Sequence, residues 1–213
     1  MTLLVATTNP NKLREIRPLL AGMPIDLLTL GDFPPMPEPD ESGATFWENA
    51  RLKALAYAAA TGALTVAEDS GLEIEALGGE PGVRSARFLG ADTPYPVRFA
   101  EIDRRLQAHP GRGRRARFVT ALALADGGAR LQPDATTPDA RREPAVLFET
   151  EAAVEGMIAP APSGIHGFGY DPIFFYPPFG CTTADMTSDQ KAAVSHRARA
   201  FRDLARHLHA RVR

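Results

Sequence analysis

Leu64-Thr65-Val66-Ala67-Glu68-Asp69-Ser70-Gly71 is the stretch around which the rest of the chain organises. It reads as a short buried strand that ends on two adjacent carboxylates, after which Ser-Gly turns the backbone. Paired acids at the carboxyl end of a strand are badly placed for a core and well placed for a ligand crevice in an α/β sheet. Neighbouring carboxylates repel, so a site that keeps them together recruits a cation, and Mg²⁺ favours oxygen ligands of this kind. An isolated Glu-Asp-Ser-Gly is more often an ordinary acidic turn. The other segments of the chain decide between the two.

At 213 residues the chain suits one domain that buries about two-thirds of its unfolded surface. A formal charge of −2 gives no sign of a nucleic-acid-binding surface, which would normally be basic. No apolar run is long enough to span a bilayer and no charged-then-apolar leader is visible. Cys181 is the only cysteine, so no intrachain disulfide can form and a reducing cytoplasm is the expected location. The basic residues are unevenly chosen: 24 in all, of which only Lys12, Lys53 and Lys191 are lysine. In so arginine-rich a chain, each lysine marks a place where a compact ammonium suits better than a planar fork, and phosphate neutralisation is one such use.

Thr2 to Ala6 reads as a buried strand and Leu13, Ile16, Leu19 and Leu20 as the apolar face of a helix. Between them, Asn9 suits the N-cap and Pro10 the first helical position, with Gly22 past the end. A strand-loop-helix unit turns backbone N–H groups and the positive end of the helix dipole toward a ligand above the loop. Thr7, Thr8 and Lys12 add donors, a phosphate-cradle arrangement without the glycine-rich P-loop sequence. Ile25 to Leu30 is a second strand, followed by a proline-rich acidic loop through Asp40 and Glu41. Thr45 with Glu48 forms a capping box for a helix that carries Lys53 and stops near Gly62.

Beyond the opening stretch, Leu72 to Leu77 alternates like a separate half-buried strand, and Val97 to His109 reads as an amphipathic helix. Phe118 to Ala125 and Val146 to Val154 read as an antiparallel pair, with residues 126–144 an exposed insertion between them. In Gly164 to Phe175, glycines alternate with aromatics, so the backbone can approach a flat ligand while a ring stacks on it. Asp171 precedes proline and is expected to be extended. Thr187 opens another capping-box pattern just before Lys191. Residues five and six apart fall about 140° and 240° around a helix, so Lys191, His196 and Arg197 can share a ligand only if the helix breaks, with Ser195 as a new N-cap.

All three lysines therefore fall within motifs. The ordered set Thr7-Thr8-Asn9-x-x-Lys12, Glu41-Ser42-Gly43-x-Thr45-Phe46-x-Glu48-Asn49-Ala50, Glu68-Asp69-Ser70-Gly71-Leu72, Pro81-Gly82-Val83-x-Ser85-Ala86-Arg87, Gly167-Phe168-Gly169-Tyr170-Asp171-Pro172-Ile173-Phe174 and Ser195-His196-Arg197 resembles the inosine triphosphate pyrophosphatase family over nearly the whole chain. The resemblance implies a single α/β domain with an elongated mixed sheet, flanking helices and two lobes around a central cleft. It implies a homodimer that hydrolyses ITP, dITP and XTP to the monophosphate and pyrophosphate with Mg²⁺. Carried over, Thr7, Thr8, Asn9, Pro10, Asn11 and Lys12 hold the triphosphate, and Asp69 is proton acceptor and metal ligand. Ser70 touches substrate, and Phe168, Gly169, Tyr170, Asp171, Lys191, His196 and Arg197 surround base and sugar. Glu41, Glu68 and Lys53 join the cluster around metal and phosphates. Two positions depart from the family pattern: Glu68 stands where Asp is usual, and Thr8 where Gly or Ser is common. Two other readings fit the same residues, a pyrophosphatase for modified pyrimidine nucleotides and a nucleotide sensor without turnover.

Overall fold

The computed structural model describes residues 1–128 and 143–211, so most of the expected 126–144 insertion lies outside the described residues. Twelve elements are described there: β1 (Thr2–Val5), α1 (Pro10–Leu20), β2 (Asp26–Thr29), α2 (Phe46–Thr61), β3 (Thr65–Ile74), α3 (Tyr95–Gln107), β4 (Arg115–Asp126), β5 (Ala145–Ile158), β6 (Phe174–Tyr176), β7 (Cys181–Thr182), α4 (Ser188–Val194) and α5 (His196–Arg211). The strands hydrogen-bond in the order β2-β1-β3-β4-β5-β6-β7. β1 is parallel to β2 and β3, whereas β6 is antiparallel to β5 and β7, so the sheet is mixed as expected. Helices α1 and α2 make the crossovers that parallel strands require.

The chain divides into two compact units: Met1–Asp69 with Ala121–Glu151 and Ala200–Arg213, and Ser70–Thr120 with Ala152–Arg199. In the first, α2 buries Ala50, Ala54 and Ala58. The i, i+4 spacing puts these small side chains on one face, where the backbone can pack closely. The core of the second gathers Leu72, Ile74, Ile102, Phe118, Ile158, Tyr170 and Phe174. No helix among the described residues is long and apolar enough to cross a membrane.

Local capping chemistry sets several helix ends. Asn9 accepts from the Asn11 and Lys12 amides at the start of α1. Thr45 and Glu48 complete a capping box on α2, which ends on Gly62 at φ 69°. The expected break between α4 and α5 is present. Ser195 is extended (φ −64°, ψ 150°), and its hydroxyl accepts from Ala198 N at 3.1 Å. Replacing Ser195 with Ala should cost about 1 kcal/mol, roughly a 2–4 °C fall in Tm at this chain length; calorimetry would measure it, and an unchanged Tm would deny the cap any weight.

Three expectations are corrected. β3 does not end at Asp69: it continues to Ile74, so Leu72 and Ile74 belong to the same strand and only Glu75–Leu77 forms a separate 3₁₀ turn. Gly71 is not among the glycines at positive φ, whereas Gly78 (66°) and Gly79 (91°) are, and the chain turns there instead. Asp171 opens a 3₁₀ turn over Asp171–Ile173 rather than lying extended, because its side chain ties the turn together from inside. β4 and β5 are sheet neighbours and run longer than expected at both ends.

Candidate functional site

In the first unit, Glu68 and Asp69 lie midway along β3 and are 4 % and 6 % exposed. Buried carboxylates persist only with partners. The two acids pair with different lysines, although Lys12 also attracts Asp69 and Glu68 also acts on Lys53. Lys12 Nζ from α1 is 3.5 Å from Glu68 Oε1. Lys53 Nζ from α2 is 3.3 Å from Asp69 Oδ1 and 2.5 Å from Glu41 Oε1. Lys53 is only 8 % exposed, so the usual reading of a mid-helix lysine as a solvated one does not hold.

Asn49, one turn before Lys53 on α2, donates from Nδ2 to Asp69 Oδ2 at 3.1 Å and accepts from Gly43 N at 2.8 Å. In the sequence Asn49 stands inside a motif with no role of its own. Its i, i+4 relation to Lys53 was the available signal. Together Asn49 and Lys53 fix both oxygens of Asp69.

Three carboxylates and two ammonium groups share this cluster, and burial together with the neighbouring charges sets how they titrate. Burial holds the Asp69 carboxyl above the usual carboxylate range, against the attraction of Lys53 and Lys12. At Lys53 burial works downward but is outweighed by Asp69 and Glu41, which keep the ammonium above its ordinary value. Among the described residues no three His, Cys, Asp or Glu side chains are grouped to hold a metal ion. Lys53 stands between Glu41 and Asp69, and Glu68 is turned to Lys12.

The loop before α1 differs from the expected cradle in one respect. Asn9 Oδ1 takes the Asn11 and Lys12 amides at 2.9 and 3.4 Å, two of the groups expected to face a phosphate. Thr7 Oγ1 accepts from Asn9 N, Thr8 Oγ1 donates to Glu38, and Asn11 Oδ1 accepts from Arg14. Pro10 occupies the first helical position and is exposed. Lys12, at this end of α1, turns its ammonium to Glu68.

In the second unit the cluster forms around Phe168 and Asp171. Asp171 Oδ2 accepts from Phe168 N at 2.7 Å and from Lys191 Nζ at 2.5 Å, while Oδ1 accepts from Thr183 Oγ1 at 2.8 Å. Gly167 has φ 72°, and a Cβ there would run into the Asp171 carboxylate, so glycine is required at this position. Lys191 Nζ and Arg197 Cζ lie 5.2 and 5.5 Å from the half-buried Phe168 ring, within cation–π range. Arg197 also donates from Nη2 to Ser70 Oγ at 3.0 Å. His196 is buried and stacks on Phe118 at 4.9 Å and 16°. The α4–α5 break is what lets Lys191 and Arg197 meet the same ring.

Tyr170 differs from its neighbours. Its ring is 4 % exposed, packs edge-on against Tyr95 at 5.2 Å, and its hydroxyl donates to Ser85 O at 2.9 Å. Burial pushes that hydroxyl up to about 12. The side chain expected beside a base therefore lies in the core. Gly169, at φ 66°, leads the chain into it.

Comparison with known proteins places this chain among relatives. The family model described as the Ham1 family matches residues 3–207. A Thermus thermophilus protein named dITP/XTP pyrophosphatase is 46 % identical over 204 residues, covering 96 % of this chain and 90 % of its own length. A protein of the same name from Syntrophobacter fumaroxidans is 44 % identical over 217 residues, covering 99 % and 86 %. Among solved structures, a HAM1 protein from Coxiella burnetii matches with a TM-score of 0.83 at 34 % identity, covering 99 % of each chain.

Proposed function

The chain belongs to the Ham1 family, and from that membership we propose that it hydrolyses the non-standard purine nucleoside triphosphates ITP, dITP and XTP to the monophosphate and pyrophosphate. The observation that carries the reading is the first unit's cluster, where the ammonium groups of Lys12 and Lys53 stand among Glu41, Glu68 and Asp69. A metal-bound triphosphate needs this charge set, cations for its phosphate oxygens and carboxylates for its metal. The names of the curated relatives support the same substrate class.

Glu41, Glu68 and Asp69 are paired with the two lysines and are not grouped around a metal as they stand, but their carboxylate oxygens are the donors Mg²⁺ favours and would hold it once Lys12 and Lys53 turn to the phosphates. When bound, the ion supplies charge neutralisation at the reacting phosphorus. Lys12 and Lys53 neutralise phosphate oxygens, and the hydroxyls of Thr7 and Thr8, in the loop that precedes Lys12, add donors once they leave their present partners. Asp69 accepts the proton of the attacking water. Its buried, Asn49-bound carboxyl, lifted above the ordinary range, is better matched to that role at neutral pH than a free aspartate.

Base selection falls to the second unit, whose first residue, Ser70, follows Asp69 directly along β3. Phe168 gives a stacking face, and Lys191 and Arg197 beside it are donors only. Donors suit the keto oxygen at position six of a hypoxanthine or xanthine base. Facing adenine's amino group they would be left unpaired, which is a heavy penalty. In this reading the two units work as one pyrophosphatase domain, assembled as a homodimer and acting in the cytoplasm.

A panel of dITP, XTP, dATP, dUTP and dTTP, scored by pyrophosphate release, tests the proposal. We expect dITP and XTP to exceed dATP by at least about a hundredfold in kcat/KM. Preference for dUTP or dTTP would replace it with the pyrimidine reading, and binding without release would replace it with a sensor.

A further inference from the structure

Arg98 on α3 is 2 % exposed and among the largest fully buried side chains of the described residues. Its guanidinium has five N–H donors, and all five go to main-chain carbonyls. Nε donates to Thr93 O at 2.9 Å, Nη1 to Ser85 O and Ala86 O at 2.9 and 2.8 Å, and Nη2 to Gly90 O and Ala91 O at 3.0 and 3.1 Å. A buried guanidinium committed wholly to backbone is a scaffold for a loop. The loop it holds carries Leu89 at φ 65°, the one non-glycine residue at positive φ among the described residues. Such a conformation persists only where the surroundings over-determine it.

This loop meets the recognition cluster at Ser85. Ser85 O accepts from Tyr170 as well as from Arg98, both at 2.9 Å. Tyr170 directly precedes Asp171, which ties together Phe168 N, Thr183 and Lys191. Ser85 Oγ accepts from Leu72 N at 2.9 Å, two residues along β3 from Ser70, the partner of Arg197. A parallel route runs through rings: Arg98 Cζ lies 4.9 Å from the Tyr95 centroid, and Tyr95 packs edge-on against Tyr170. Both threads to the proposed base-binding residues therefore begin at one carbonyl-lined guanidinium.

We propose that Arg98 is a positioning residue for base recognition, acting through Ser85 and Tyr170 on the Phe168–Asp171 turn. The inference rests on the substrate reading above and deepens it, because it separates recognition of the base from recognition of the phosphates. All of these partners belong to the second unit, while Lys12, Lys53 and Asp69 belong to the first. Disturbing Arg98 should loosen the hold on the base and leave the hold on phosphate intact.

Arg98→Lys keeps the charge but cannot reach five carbonyls with three rotating donors. In steady-state assays of pyrophosphate release it should raise KM for dITP about tenfold, with kcat and the inhibition constant of inorganic tripolyphosphate each within about twofold of the unaltered chain. A KM within about twofold, or equal weakening toward dITP and tripolyphosphate, would overturn the proposal. Where Arg98→Lys fails to fold, Tyr170→Phe carries the test alone. It removes the hydroxyl with its bond to Ser85 and its link to Arg98 and should raise KM for dITP about fivefold, with tripolyphosphate inhibition unchanged; an unchanged KM there overturns the proposal. Absence of pyrophosphate release from dITP by the unaltered chain would instead sink the substrate reading itself.

Discussion

Asp69→Asn is expected to lower dITP turnover by about a thousandfold while the protein stays folded and still binds nucleotide. The substitution keeps the shape of the side chain, and Asn49 Nδ2 can still donate to the remaining carbonyl oxygen. What it loses is the lone pair that accepts the proton of the attacking water. Stability should not suffer. Burial holds the Asp69 carboxyl above its ordinary range, so its ionised form is disfavoured in the folded chain and contributes a penalty at neutral pH. Removing that charge relieves the penalty, and Tm should stay level or rise. Turnover near the unaltered rate would remove Asp69 as the base. Lost turnover together with a collapsed Tm would show the residue to be structural.

Lys53→Met has the opposite expected signature. It takes away the ammonium 3.3 Å from Asp69 and 2.5 Å from Glu41, leaving Lys12 alone among three carboxylates. Breaking a buried ion pair from one side costs about 3–5 kcal/mol, or roughly 10 °C in Tm for a chain of this length. Glu41→Gln should cost much less, because it removes a charge from the side that is in excess. The pH dependence follows from the direction of each shift. Lys53 is held above its ordinary value, so its contribution is full throughout the neutral range and is lost only as pH rises through that raised value. In the variant the carboxylates lose a cation, and their protonation moves upward. Its deficit against the unaltered chain should therefore narrow from pH 8 to pH 5. Calorimetry with a chelator present would measure both; a deficit that is absent, or that widens on acidification, would contradict the account.

These residues differed in how far the sequence revealed them. The helix caps at Asn9, Thr45, Thr187 and Ser195 were legible because each is a contact across three residues or fewer. The α4–α5 break followed from helix angles once Lys191, His196 and Arg197 were taken to share a ligand; in the structure Lys191 and Arg197 meet the Phe168 ring, while His196 stacks on Phe118. The scarcity of lysine pointed to Lys12, Lys53 and Lys191, and each proves to be ion-paired with a carboxylate.

The failures have physical causes too. Ser70-Gly71 looked like a turn because those residues favour turns, yet both tolerate an extended backbone, and the sheet carries β3 through them. Two carboxylates inside a strand looked untenable because their neutralising partners come from α1 and α2, far off in sequence. Tyr170 was grouped with Phe168 by the family resemblance, and its core packing on Tyr95 and its bond to Ser85, 85 residues away, are contacts no local pattern shows. Arg98 gave no signal because the main-chain carbonyls that take its five donors have no sequence signature.

The claim beneath all of this is that the Lys12–Lys53–Asp69 cluster cuts a triphosphate between its first and second phosphates. Identifying the products of dITP hydrolysis in the presence of Mg²⁺ tests it most directly. The account predicts one pyrophosphate for each dIMP formed, with no orthophosphate; release of orthophosphate with dIDP would contradict it.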